Sequence, residues 1–393
     1  MRAPMFLIVF LLGYGSLNAQ IPIDSVSNQI LKNNKKVIAY KNYIESLSLS
    51  ARTGILPKNP EIEFNFLFGK PTVIGNQTEF AITQTFDFPT VYIHRGNLSN
   101  LQIQKADLEY KLYENEVLLQ IKLVCIEQIY LNRKKSILRQ RFENETSLNS
   151  SFMQKFQNGE ISQIEVNKSQ MQLLNTKNQL LITENRVNLN NRLLTQLNGD
   201  APVILTDTTY LLTVYKSNID DLLDLLNDNN VPLKIGKIDA LIAEKEISLE
   251  KSNSLPKIEL GYMQERIGNQ SLKGVHTGVS IPLWENKNRV KAQRLKFIFQ
   301  QQEFENLQSQ KKLELQKKFL EYQQKQVILD ELNEFIMSNN SPVLLKQQLE
   351  RGLISTTEYY TELSNFYQIV DNYEDLQKDY FALIAKIKNM VAL

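Results

Sequence analysis

Cysteine is almost absent from these 393 residues: Cys125 stands alone, so no disulfide can form within the chain, and it reads as a small buried apolar residue. Histidine occurs twice, as His94 and His276, which the pattern below places at two hairpins. No group of Cys and His has metal-ligand spacing, the seven methionines are scattered, and no nucleophile elbow or phosphate-cradling glycine loop is present. The residues therefore predict no enzyme, no metal and no cofactor. Charge of one sign is missing too. With 45 basic and 43 acidic groups the net charge is +2, which argues against nucleic acid and against a polybasic membrane anchor. After the first twenty positions no apolar run approaches the roughly eighteen residues of a spanning helix. Glycine (14) and proline (11) are few and clustered. Between them run long stretches of Gln, Asn, Glu, Lys and Leu, the composition of long helices.

The N-terminus carries Arg2, an apolar run from Met5 to Leu12, and Leu17-Asn18-Ala19 before Gln20. That is the layout of a secretory signal over residues 1–19, with an exported mature chain.

The remainder repeats itself. Leu56-Pro57-Lys58 returns as Leu255-Pro256-Lys257, and each is followed by two alternating segments and a proline, Pro89 or Pro282. From each proline an equal stretch of helical sequence leads to a glycine, Gly159 or Gly352, with a glutamate six residues further on, Glu165 or Glu358. This is an internal duplication. Residues 20–200 form the first copy, with a hairpin over 60–89 and a helical turn at 159. Residues 231–393 form the second, with a hairpin over 256–283 and a turn at 352. Residues 201–230, with an amphipathic stretch from Ile219 to Leu226, lie between.

Ile62, Phe64, Phe66 and Phe68 alternate with mostly polar neighbours, as do Phe80, Ile82, Phe86 and Phe88. Ile258, Leu260 and Tyr262, then Thr277, Val279, Ile281 and Leu283, repeat the pattern more weakly. Period two predicts strands with one apolar and one polar face. In a soluble protein the apolar face meets a core; in an outer-membrane barrel it meets lipid, and the polar face lines a water-filled lumen. Four strands cannot close a barrel, and open edges are not tolerated in lipid. The membrane reading therefore requires three chains and twelve strands.

From Pro89 to Gly159 an unbroken helix would extend ~105 Å, too long to stand without lateral partners. Leu108, Leu112, Leu119, Leu123, Ile126 and Ile129 fall mostly three or four apart and predict one packed stripe; Met171, Leu174, Leu181 and Leu197 continue the returning helix. The basic run Arg133, Lys134, Lys135, Arg139 and Arg141 reads as a solvated face, and Trp284 as a residue of an interfacial aromatic belt.

Phe156-Gln157-Asn158-Gly159-Glu160-Ile161-Ser162-Gln163-Ile164-Glu165-Val166, its second copy around Gly352, and the strand ends Phe86-Asp87-Phe88-Pro89 and Val279-Ser280-Ile281-Pro282-Leu283 together resemble the TolC-type outer-membrane factor family over nearly the whole mature length. The last of these stretches, followed by Asn286, Asn288 and Arg289, looks most like its cation-efflux branch. The resemblance implies an α+β membrane protein: a homotrimeric channel-tunnel in which each chain gives four strands to a twelve-stranded β-barrel in outer-membrane lipid and long helices to a periplasmic α-helical barrel. It further implies a passive efflux duct, docked to a periplasmic adaptor and an inner-membrane pump. Adaptor contacts map onto Asn158, Gly159, Glu160, Ile161 and Ser162, and onto Arg351, Gly352, Leu353, Ile354 and Ser355. A gating carboxylate ring maps onto Glu358, with Glu165 its first-copy counterpart. The family's next carboxylate position is Thr361 here, and its tip-locking tyrosine and arginine fall at Leu349 and Ile354, all departures. Two other readings fit a signal peptide with helical hairpins: a periplasmic adaptor, which would carry one hairpin between β-rich halves, and an extracytoplasmic coiled-coil scaffold, which would not need the strands. The cargo is not written in the sequence.

Overall fold

The structure is a computed structural model that describes residues 23–69, 75–210 and 218–391; the signal-peptide segment lies outside them. Helices α1 (Ile23–Asn33) and α2 (Lys35–Ala51) lead into strands β1 (Glu61–Leu67) and β2 (Gln77–Phe86). Pro89 then opens α3 (Pro89–Gln157), and α4 (Gln163–Leu197) returns. A proline at the first helical position suits this start, because its missing N–H would have no partner there anyway. The second half holds α5 (Ile219–Asn229), α6 (Val231–Asn253), β3 (Lys257–Ile267), β4 (Gln270–Ser280), α7 (Arg289–Ser338), α8 (Ser341–Glu350) and α9 (Thr356–Met390). No helix among the described residues is long and apolar enough to cross a membrane.

The two returning helices match in length and position. Both α4 and α9 are 35 residues long, so a single sequence offset superposes their two ends. The outgoing helices differ. Whereas α3 runs unbroken for 69 residues, its counterpart starts at Arg289 rather than at Pro282 and is interrupted at Asn339–Asn340. At the start, Asn286 donates to the Asn253 carbonyl (2.9 Å) and holds the chain in turns. At the break, Pro342 has no N–H to offer the Ser338 carbonyl and its ring would crowd that group.

The four strands form one antiparallel sheet in the order β1-β2-β3-β4, so the two hairpins join through β2 and β3. Phe68, Phe88, Ile281 and Leu283 lie just outside the strands, and His94 is on α3, not in the hairpin. Pairing divides the strands' side chains between two faces by parity. Rows such as Ile62–Ile82–Tyr262–Val275 and Phe86–Ile258–Val279 lie on one face. The other face carries every carboxylate of the strands: Glu61, Glu63, Glu79, Glu259 and Glu265.

The core sits where α1, α3 and α4 meet, around Ile23, Ile30, Ile121, Cys125, Ile126 and Leu194. Cys125 is fully buried and burial pushes its thiol up to about 11. The buried stripe of α3 here is Val117, Ile121, Cys125 and Ile129, while Leu108, Leu112, Leu119 and Leu123 are only half-buried. Several helices pack around α3, so the apolar positions share their burial among several contacts instead of forming one seam.

Candidate functional site: the paired helical turns

Each turn is built from two end motifs in series. At the first, Glu160 N–H donates to Lys155 O (2.9 Å) and Gly159 N–H to Phe156 O (2.9 Å); at the second, Leu353 donates to Gln348 O (2.9 Å) and Gly352 to Leu349 O (3.0 Å). This is the Schellman closure of a helix C-terminus, with a glycine in the left-handed region: φ is 76° at Gly159 and 70° at Gly352. Three residues later a serine caps the next helix. Ser162 Oγ accepts from Glu165 N–H (3.4 Å) while Glu165 Oε2 accepts from Ser162 N–H (2.9 Å). Ser355 and Glu358 repeat the exchange at 3.2 and 2.8 Å. The spacing of glycine and glutamate therefore has a structural cause: closing residue, then N-cap, then the third helical position of a capping box. Ser-x-x-Glu is legible in the sequence and is the signal that accounts for these glutamates. Replacing Ser162 by Ala should cost about 1 kcal/mol, checked by thermal unfolding against Ser162→Thr, which keeps the cap.

The copies part company in what the glutamates do next. Glu165 Oε1 also accepts from Thr356 Oγ1 (2.9 Å), and Lys168 Nζ donates to Thr357 Oγ1 (2.5 Å), so α4 and α9 are tied together at their starts. The Ser162 N–H and the Thr356 hydroxyl hold the Glu165 carboxyl below the usual range. Glu358 is lowered by Ser355 alone and is exposed. Thr361 is exposed and donates to Thr357 O (2.9 Å). A cleft of about 360 Å³ opens between the turns, and Phe152, Ile161, Glu165, Leu349, Gly352 and Ile354 are among its lining residues. Of the ten predicted contact residues, Ile161 and Ile354 are half-buried; the other eight are exposed.

Above the turns, α3 and α9 meet along a polar seam. Arg141, only 7% exposed, makes two bonds to Asp371 (3.1 and 2.9 Å) and lies 4.0 Å over the Tyr367 ring. Arg133 pairs with Glu374 (2.8 Å) and donates to Gln377 (3.0 Å). Tyr130 donates to Asp375, and Lys134 Nζ stands 3.9 Å from the same carboxylate. On the α4 side Arg139 pairs with Glu184 (3.0 Å). The basic run is thus not a solvated face: its members are distributed between α9 and α4. One carboxylate on this seam lacks a cation. Glu145 is 2% exposed, its only side-chain hydrogen bond among the described residues comes from the Tyr360 hydroxyl (3.4 Å), and burial raises it to about 7.

A four-stranded antiparallel sheet joined to two long helical hairpins is the fold of outer-membrane channel proteins of known structure. The outer membrane protein VceC of Vibrio cholerae matches at TM-score 0.79 and 10% identity, over 94% of this chain and 95% of that one. CusC, described in connection with transmembrane channel formation, matches at 0.76 and 12% over 94% and 91%, and the outer membrane channel CmeC of Campylobacter jejuni at 0.73 and 12% over 94% and 85%. At these identities the likeness defines the fold. No protein-family model and no curated protein matches the sequence.

Proposed function

We propose that this chain is one of three subunits of a passive outer-membrane efflux channel, not an enzyme, with residues 20–200 and 231–393 as its two repeats. The observation that carries this is the sheet: one largely apolar, aromatic face, one face with all five carboxylates, and two outer strands, β1 and β4, whose outer edges have no partner among the described residues. An open sheet has no place in lipid, whereas three such sheets joined edge to edge make twelve strands with an acidic lumen. The exposed apolar residues of the helices support the same assembly. Ile164, Met171, Leu174, Leu181, Ile182 and Leu189 on α4, and Leu313, Leu320, Val327 and Phe335 on α7, are 40–67% exposed, at spacings mostly of seven that suit lateral helix packing.

The helical turns are then the periplasmic tip. Asn158–Ser162 and Arg351–Ser355 are the surfaces offered to an adaptor, and through it to an inner-membrane pump. Glu358, with its capping bonds satisfied and its carboxylate exposed, would form a threefold ring, and no second ring would arise at Thr361.

The test is conductance of the purified protein in planar bilayers, with trimer formation followed by cross-linking. Channels with cation preference are expected. Glu358→Gln should lower that preference, most clearly at low salt, while keeping the helix start, because glutamine also completes a capping box. Monomers only, or absence of channels from intact trimers, would overturn the proposed function; unchanged selectivity in Glu358→Gln would remove the gate.

A further inference from the structure

The apolar face of the sheet is not apolar to its end. Rows across it read Phe86–Ile258–Val279, then Gln84–Leu260–Thr277, then Ile62–Ile82–Tyr262–Val275. Two rows further from the helices the pattern changes to Phe64–Phe80–Gln264–Lys273 and Phe66–Thr78–Arg266–Ser271. Arg266 and Lys273 are the only charged residues of that face, and both are exposed. Neither has an ion-pair partner among the described residues, since the carboxylates of the strands are all on the opposite side.

Their placement is specific. Arg266 pairs with Ser271, so Lys273 is its diagonal neighbour across β3 and β4, at a separation of about 7–8 Å between backbones. Two long cationic side chains at that distance reach a common point. Thr78 and Ser271 flank Arg266, and Gln264 pairs with Lys273, so neutral hydrogen-bonding groups surround both charges. Along β4 the apolar positions of this face run from Val279 to Val275, and Ile281, Leu283 and Trp284 extend them toward the helices. Within β4 the stretch from Ser280 to Val275 is about 17 Å of strand, and Ile281 and Leu283 carry it on outside the strand toward the ~25 Å apolar band of outer-membrane barrels. On β3 and β4, Lys273 and Arg266 begin where the apolar run ends, while Phe64, Phe66 and Phe80 carry it on in β1 and β2. Two unopposed cations on a lipid-facing surface repel each other and lose hydration unless an anion meets them, and the anions at that depth are headgroup phosphates.

We propose that Arg266 and Lys273 form a binding site for the phosphate of a lipid headgroup in the leaflet on the hairpin side, one site per subunit. Arg266 supplies the forked donors and Lys273 the point charge. The proposal rests on the channel reading above, because only in a barrel does this face meet lipid.

Native mass spectrometry of the purified trimer in neutral detergent tests it, with diphosphoryl lipid A as the probe and the dephosphorylated glycolipid and inorganic phosphate as the other arms. Up to three lipids per trimer are expected, with at least tenfold weaker binding in Arg266→Gln/Lys273→Gln. Lys257→Gln, on the opposite face, should bind as the unaltered protein does. Equal binding by the double variant, equal retention of the dephosphorylated glycolipid, or displacement of the lipid by inorganic phosphate at matched concentration would each overturn the site. Planar-bilayer conductance of the same samples separates the two readings. Conducting trimers without phosphate-dependent binding defeat only the lipid site, whereas unaltered protein that forms no channel defeats the channel itself.

Discussion

Val327→Lys is expected to abolish trimer formation, and Val327→Lys combined with Ile182→Asp to restore part of it. The two copies correspond at a constant sequence offset. Within the chain, Lys134 of α3 stands 3.9 Å from Asp375 of α9. The offset that carries Gly159 onto Gly352 carries Lys134 onto Val327, and carries Ile182 onto Asp375. The charged pair inside a subunit therefore has an apolar counterpart, Val327 with Ile182, 58% and 62% exposed. If α7 of one copy meets α4 of the next as α3 meets α9, that pair closes the seam between subunits. An unpaired ammonium there costs about 3–5 kcal/mol at each of three seams. The double variant recreates the intrachain pair. Cross-linking and light scattering read the result. Val327→Lys trimers as stable as the unaltered protein's would separate this residue from the interface.

Glu145→Gln is expected to stabilise the chain at pH 8 and to change little near pH 4.5. Burial raises this carboxyl from 4.5 to about 7 in the folded state. The folded form therefore binds the proton more tightly than the unfolded form, and stability is lost as pH rises from the unfolded value through 7. A shift of that size corresponds to roughly 3 kcal/mol once both states are ionised. Glutamine carries no charge and can still accept from the Tyr360 hydroxyl, so the loss should vanish. Thermal unfolding of both proteins at the two pH values measures it. An equal difference at both would show that the charge of Glu145 is not the cause.

Both effects arise on surfaces that the sequence discloses unevenly. Period-two alternation exposes the strands, because a sheet side chain answers only to its own parity. Gly159 and Gly352 expose the turns, because the left-handed closure leaves glycine as the easy choice. The helix partnerships are hidden for a physical reason: α3 presents side chains to several neighbours, so its apolar positions do not collapse onto one stripe. The pairing of Arg133 with Glu374 and of Arg141 with Asp371 joins residues more than two hundred positions apart, and no local pattern marks it. Glu165 and Glu358 are a different case. Their serines stand three residues before them in plain view, and helix capping accounts for both glutamates before any gate is invoked.

The interruption before Pro342 makes the two hairpins mechanically unlike. A twist applied at the sheet travels to the first turn along one continuous rod of 69 residues. Toward the second turn it meets a joint at Asn339–Asn340, beyond which α8 is only 10 residues long. Bending stiffness therefore falls abruptly on one side of the molecule and not on the other. The bonds from α4 to Thr356 and Thr357 tie the start of α9, just past the jointed arm, to the stiff hairpin.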